Sequence, residues 1–160
     1  MAHTLERLDA EDQITRLIHA YCTGIDTGNL DDTAQLFTDG TWYLNPDTPF
    51  TGFAAVSGFL RDNVLLYDGV PATRHTITNI RIDVADGPEG VGDTARANCY
   101  VAVYQAAPGR APEVIFVGSY DDTFARDAGT GRWRFADRVI NTLGVGDMSR
   151  HLRAAGSAAL

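Results

Sequence analysis

The chain has 160 residues, a length that suits one domain burying roughly two thirds of its unfolded surface. Its 44% hydrophobic and 21% charged residues are ordinary for a folded protein and exclude disorder over most of the length. A net charge of −8, with the basic residues all scattered arginines, excludes a nucleic-acid surface, which needs clustered Lys and Arg against the phosphates.

The start, Met1-Ala2-His3-Thr4-Leu5-Glu6, has neither the basic residues nor the apolar run of a secretory signal. No stretch nears the ~20 apolar residues of a membrane span. Cys22 and Cys99 stand apart from any zinc-ligand spacing, so reduced, buried thiols and a cytoplasmic location are expected.

Ile14, Leu17, Ile18, Tyr21, Cys22 and Ile25 form an apolar stripe of helical period. Asp9 is the expected N-cap, with Glu11 and Asp12 in the first turn and Thr23-Gly24 at the end. A short second helix is expected from about Leu30 to Phe37. Past Asp39-Gly40, Thr41-Trp42-Tyr43-Leu44 has strand composition and closes at Asn45-Pro46. Helical spacing returns from Gly52 to Asp62 through Phe53, Val56, Phe59 and Leu60. From His75 the chain reads as sheet, in segments near 74–84, 93–106, 113–126 and 132–142. Asp86-Gly87, Pro108-Gly109 and Gly129-Thr130-Gly131 divide them. The Ala- and Gly-rich stretch after Asp147 is expected to be loosely ordered, so the domain is drawn at 1–150 and the tail at 151–160.

Helices followed by an antiparallel meander is an α+β order. A long sheet with helices on one face curls around them, and the concave space between is a common small-molecule site. An outer face carrying Ile115, Val117 and Val101 or Val103 would need cover, so a homodimer or homotrimer is expected.

Polar residues at positions the pattern would bury carry the chemical information. Asp26 lies just past the apolar end of the first helix, and His75 opens the first long strand. Asn98 and Tyr100 share one face of the next strand, and Arg138 sits in the last. A carboxylate accepting one imidazole N–H fixes the tautomer and makes the other nitrogen a better base. A tyrosine hydroxyl can protonate a leaving group, and an arginine can hold an oxyanion. Each residue also fits a plainer role. Tyr21 is equally a core ring, Asp26 a cap for Thr27-Gly28-Asn29, His75 a satisfied strand histidine, and Arg138 a partner for a surface acid.

The segments Leu17-Ile18-His19-Ala20-Tyr21, Ile25-Asp26-Thr27-Gly28-Asn29-Leu30-Asp31 and Leu36-Phe37-Thr38-Asp39-Gly40-Thr41-Trp42 resemble the opening of SnoaL-like domains, of the nuclear transport factor 2-like superfamily. Arg74-His75-Thr76-Ile77-Thr78-Asn79 resembles the family's first strand, and Gly131-Arg132-Trp133-Arg134-Phe135-Ala136-Asp137-Arg138 its last. The resemblance covers roughly residues 8 to 150 and implies a curved antiparallel sheet wrapped around N-terminal helices, a cone with an internal pocket. The pattern is most similar to scytalone dehydratase, hexachlorocyclohexane dehydrochlorinase and bile-acid 7α-dehydratase, which are lyases with a histidine base paired to an aspartate. By that resemblance Asp26 and His75 match the dyad, Tyr21 the polar residue one turn earlier, and Arg138 the last-strand arginine of the bile-acid enzyme. Asn98 stands where that enzyme has an aspartate.

The expected activity is a lyase working without cofactor or metal on a small cyclic or polycyclic substrate. His75 takes a proton, Asp26 orients it, Tyr21 assists the leaving group and Arg138 anchors an oxyanion. Trp42, Tyr43, Phe59, Tyr100 and Tyr120, with Asn98, are the expected substrate wall; Phe53, Tyr67 and Phe116 are further aromatic candidates. Two other readings stand beside it: an isomerase or polyketide cyclase on the same scaffold, and a non-catalytic ligand-binding or dimerisation module. His3, His19, His75 and His151 show no metal-ligand spacing.

Overall fold

The computed structural model describes residues 4–88 and 90–157. The first helix, α1 (Leu5–Asp26), buries the expected stripe, with Ile14 and Ile18 wholly enclosed. Burying each such side chain is worth about 1.5–3 kcal/mol. Both ends differ from expectation. Thr4, not Asp9, is the N-cap, its hydroxyl accepting from the Arg7 N–H, so the first-turn acid is Glu6. The helix also runs through Gly24, because that glycine serves close packing: a Cβ there would lie 2.1 Å from Thr33 Oγ1.

The second helix, α2 (Leu30–Gln35), is two residues shorter than expected at its C-terminus. Then come β1 (Thr41–Tyr43), the unanticipated β2 (Pro49–Thr51) and α3 (Gly52–Asn63). Four long strands follow: β3 (Thr73–Gly87), β4 (Gly90–Gln105), β5 (Glu113–Arg126) and β6 (Trp133–Val145). One curved sheet takes all six strands in the order β2-β1-β6-β5-β4-β3. The meander is antiparallel as expected, but β1 joins it parallel to β6, pairing Trp42 with Arg138. Register shifts interrupt four places in β3 and β4 or β5 and β6, one beside Asn79 at φ 54°. Such bulges bend a sheet, and here the helices fill the hollow.

Side chains alternate across the sheet, and this decides several residues. Ala95, Ala97, Cys99, Val101 and Val103 point to the core, so Asn98 and Tyr100 face outward, with Tyr100 56% exposed. Val101, Val103 and Ile115 are therefore interior residues. Of the apolar residues expected on the outer face only Val117 is there. In β6, Phe135 and Arg138 both point inward although three apart, which the irregularity opposite Thr123 and Phe124 allows.

The stretch after Asp147 is not loose through Ser157. Met148, His151 and Leu152 are buried, and a short α4 (Ala154–Ser157) follows. The Leu152 backbone bridges to Val64, and the Leu65 N–H donates to the His151 carbonyl at 2.9 Å. The last three residues of the expected tail, and His3, lie outside the described residues. Among the described residues no helix is long and apolar enough to cross a membrane.

Candidate active site

The C-terminal end of α1 points its last residue, Asp26, at the start of β3. Thr73 and His75 are two apart on that strand and so share the face it meets. The Thr73 hydroxyl donates to Asp26 Oδ1 at 2.7 Å, and the His75 backbone N–H to Oδ2 at 2.9 Å. His75 Nδ1 lies 2.7 Å from Oδ1. Both side chains are largely buried. Burial works against ionisation of Asp26, but the bonds and charge of His75, then Thr73, outweigh it and hold the carboxyl below the ordinary carboxylate range. An ionised Asp26 makes Nδ1 the protonated nitrogen and leaves Nε2 as the free base.

His75 lines a cavity of about 70 Å³ between the helices and the inner face of the sheet. Tyr21, Trp42, Phe59 and Tyr120, four of the expected residues, line it too, with Phe116. The Tyr21 ring meets His75 edge-on at 6.3 Å between centroids and Tyr120 at 5.7 Å. Trp42 Nε1 donates to the Tyr21 hydroxyl at 3.2 Å, which leaves the Tyr21 proton for another acceptor. Burial raises the pKa of Tyr21, against the lowering pull of Arg138, so it is a neutral hydrogen-bond donor.

Arg138 is where the structure departs most from expectation. It is 0% exposed and is not part of the cavity wall. Its Nε and Nη2 donate to Asp122 at 2.8 and 2.6 Å, and its guanidinium lies 4.4 Å from the Tyr21 centroid and 4.2 Å from that of Tyr120. Burial opposes the charge, but Asp122 beside it more than compensates and keeps Arg138 protonated. Arg138 thus supports the tyrosines from behind. Asn98, Tyr100 and Tyr43 are likewise not brought to the cavity. Asn98 donates to Asp121 Oδ1 on the outer face, and Tyr43 lies along the same outer surface. Tyr67 instead donates to the Arg150 carbonyl at 2.8 Å.

Three residues of the site escaped the sequence reading. Asp122 had a signal, since it alternates with Tyr120 and Phe124 on the inward face of β5. Thr73 lies one residue before the strand segment drawn from the sequence. His151 was assigned to the tail, where composition gave no sign of burial. Among the described residues no group of three or more His, Cys, Asp or Glu converges as metal ligands would.

A model of the SnoaL-like domain family matches residues 6–139. The chain is a SnoaL-like domain. No curated protein matches it. Among solved structures, this SnoaL-like domain is similar to a protein provisionally named a scytalone dehydratase from Novosphingobium aromaticivorans DSM 12444. That one is 23% identical over 89% of each chain, with a TM-score of 0.68. A nuclear transport factor 2-like protein with a cystatin-like fold, also from Novosphingobium aromaticivorans, is 21% identical over 100% of this chain and 99% of its own, at 0.66. A type 2 hexachlorocyclohexane dehydrochlorinase is 18% identical over 89% of this chain and 90% of its own, at 0.69. At these identities the likeness is one of fold.

Proposed function

We infer that this SnoaL-like domain is a dehydratase-type lyase needing no cofactor, with Asp26 and His75 as its acid–base pair. The observation that carries the reading is the 2.7 Å contact between His75 Nδ1 and Asp26 Oδ1 at the wall of a cavity. His75 Nε2 takes a proton from the carbon between a carbonyl and a carbon bearing a hydroxyl. Asp26 stabilises the imidazolium that forms, and general acid–base help of this kind is worth about 10²–10⁴ in rate. The electron pair left on carbon forms the new double bond as the C–O bond breaks. His75 returns its proton to the departing hydroxyl, which leaves as water while Tyr21 holds it with a hydrogen bond, so the imidazole ends neutral. The products are an enone and water.

The cavity size narrows the substrate. About 70 Å³ is roughly half the ~150 Å³ apolar cavity that admits benzene. A single small ring therefore suits it better than a polycyclic one, and even that ring needs give from the flexible Met148 in the wall. The test is a panel of cyclic β-hydroxy ketones followed by enone absorbance. The wild type is expected to turn over at least one. His75→Ala is expected to lose that activity while keeping its far-ultraviolet dichroism. Full activity in His75→Ala, or double-bond migration without release of water, would sink the lyase reading.

A further inference from the structure

The cavity wall holds an imidazole to which this chemistry gives no part. His151 lines the cavity, is 8% exposed, and its Nδ1 is buried without a hydrogen-bond partner. An unpaired buried polar atom costs about 1–3 kcal/mol, so it calls for an explanation. Slack in the chain is not the explanation, because the backbone on both sides is held. Tyr67 Oη and Gln105 Nε2 donate to the Arg150 carbonyl at 2.8 and 3.0 Å, and Gln105 is itself buried. The His151 N–H donates to Met148 at 2.9 Å, its carbonyl accepts from Leu65 at 2.9 Å, and the Arg153 N–H donates to the Asn63 carbonyl at 2.9 Å. The fold thus fixes an imidazole in the wall and leaves its nitrogen unmatched.

Two other polar groups of the wall each have a partner. Tyr21 accepts from Trp42, and His75 Nδ1 is taken by Asp26. Among the described residues, the other buried side-chain nitrogen without a partner, Arg138 Nη1, belongs to a residue outside the cavity wall. The geometry points to His151 as a substrate-orienting contact, its Nδ1 closed off from the empty cavity and completing a hydrogen bond with an oxygen of the ring once the wall has given way to admit it. This deepens the lyase reading and rests on the cavity being its substrate site. It says that the substrate carries an oxygen function for His151 besides the hydroxyl that leaves at His75. Burial, with repulsion from a charged His75 and against the pull of Asp26, lowers the His151 pKa to about 4. The ring is therefore neutral at pH 7, free to give or accept one hydrogen bond, and does not compete with His75 for the proton.

Binding tests this without any turnover. Protein labelled with ¹⁵N-histidine is titrated with cyclohexanone and with cyclohexene, its oxygen-free counterpart. The His151 Nδ1 resonance is expected to move with the ketone and not with the hydrocarbon. His151→Phe, close in shape, is expected to lose about tenfold in ketone affinity and keep its affinity for cyclohexene, while His151→Gln recovers part of the loss. A His151 resonance unmoved at the highest ketone concentration overturns the inference, as does wild-type ketone affinity in His151→Phe. If that variant does not fold, the wild-type titration decides alone. An active His75→Ala protein would end the lyase reading and leave this result standing.

Discussion

Two carboxylate–nitrogen pairs lie inside the domain, Asp26 with His75 at 2.7 Å and Asp122 with Arg138 at 2.6 and 2.8 Å. Their contact lengths are alike, and their surroundings are not. The Arg138 pair is closed: two parallel bonds, 0% exposure on both sides, and tyrosine rings within 4.4 Å. The His75 pair is open, because imidazole has a second nitrogen and the residue borders a cavity. Asp26 also has two partners besides that ring, Thr73 and a backbone N–H. A buried ion pair whose cation carries no basic nitrogen holds a shape, whereas one with an unspent basic nitrogen beside empty space can do chemistry.

The sharpest break in that comparison is a double dissociation between activity and stability. His75→Ala is expected to cut turnover of a responsive β-hydroxy ketone by about 10³-fold or more. It should cost only about 1–2 kcal/mol in urea unfolding, since Asp26 keeps its bonds from Thr73 and the backbone. Arg138→Met does the opposite first. It strands Asp122 as an unpaired buried charge and should cost about 3–5 kcal/mol, most of it recovered in Arg138→Met with Asp122→Leu. If the double variant is no more stable than the single, the closed pair is not the unit described.

A third buried nitrogen base, His151, lacks a carboxylate altogether and so adds a pH signature. Its pKa falls to about 4 in the folded chain, burial being the main cause. The unfolded value is about 6.5. Between these the unfolded chain binds more protons, so stability falls as the pH drops from about 6.5 to 4, and is unaffected by this group above that window. The loss should reach at most about 3–4 kcal/mol. Urea midpoints across that range, compared with His151→Phe, check it: the variant's curve should be flatter. An equally steep acid slope in the variant would place the titrating group elsewhere.

Much of this was legible in the sequence, and the misses have physical causes. The stripe from Ile14 to Ile25 faces the core as read, and Asp26 and His75 meet. The α1 start was misplaced because its first turn is exposed, with Leu5 87% accessible, so periodicity had nothing to report there. Asn98 was placed at the pocket by its position in a family, and Tyr100 as an aromatic on the same face, against an alternation that Cys99 and Val101 already set the other way. Arg138 was read as an oxyanion anchor, or a partner for a surface acid, since no local pattern announces a buried partner sixteen residues back on a neighbouring strand. The tail hid its histidine because burial there comes from contacts with residues 63 to 67 and 105, which composition does not encode.

The smallest expected effect bears most directly on what opens the His75 pair. Thr73 touches no cavity, yet its hydroxyl gives Asp26 Oδ1 a bond of 2.7 Å, at the same oxygen that His75 Nδ1 meets. Thr73→Val keeps the shape and removes the donor, so the Asp26 carboxyl loses one of the influences that lower its pKa. Asp26 must be ionised to orient His75, so the acid limb of the activity profile should move to higher pH. At pH 7, where Asp26 stays ionised in the variant, kcat/KM should fall only about twofold, with kcat carrying most of the change because no substrate contact is lost. Thr73→Ser should restore both. A fall in activity at every pH with the acid limb unmoved would instead mean that Thr73 only packs the β3 turn. The openness of the pair would then be set by His75 and its cavity alone.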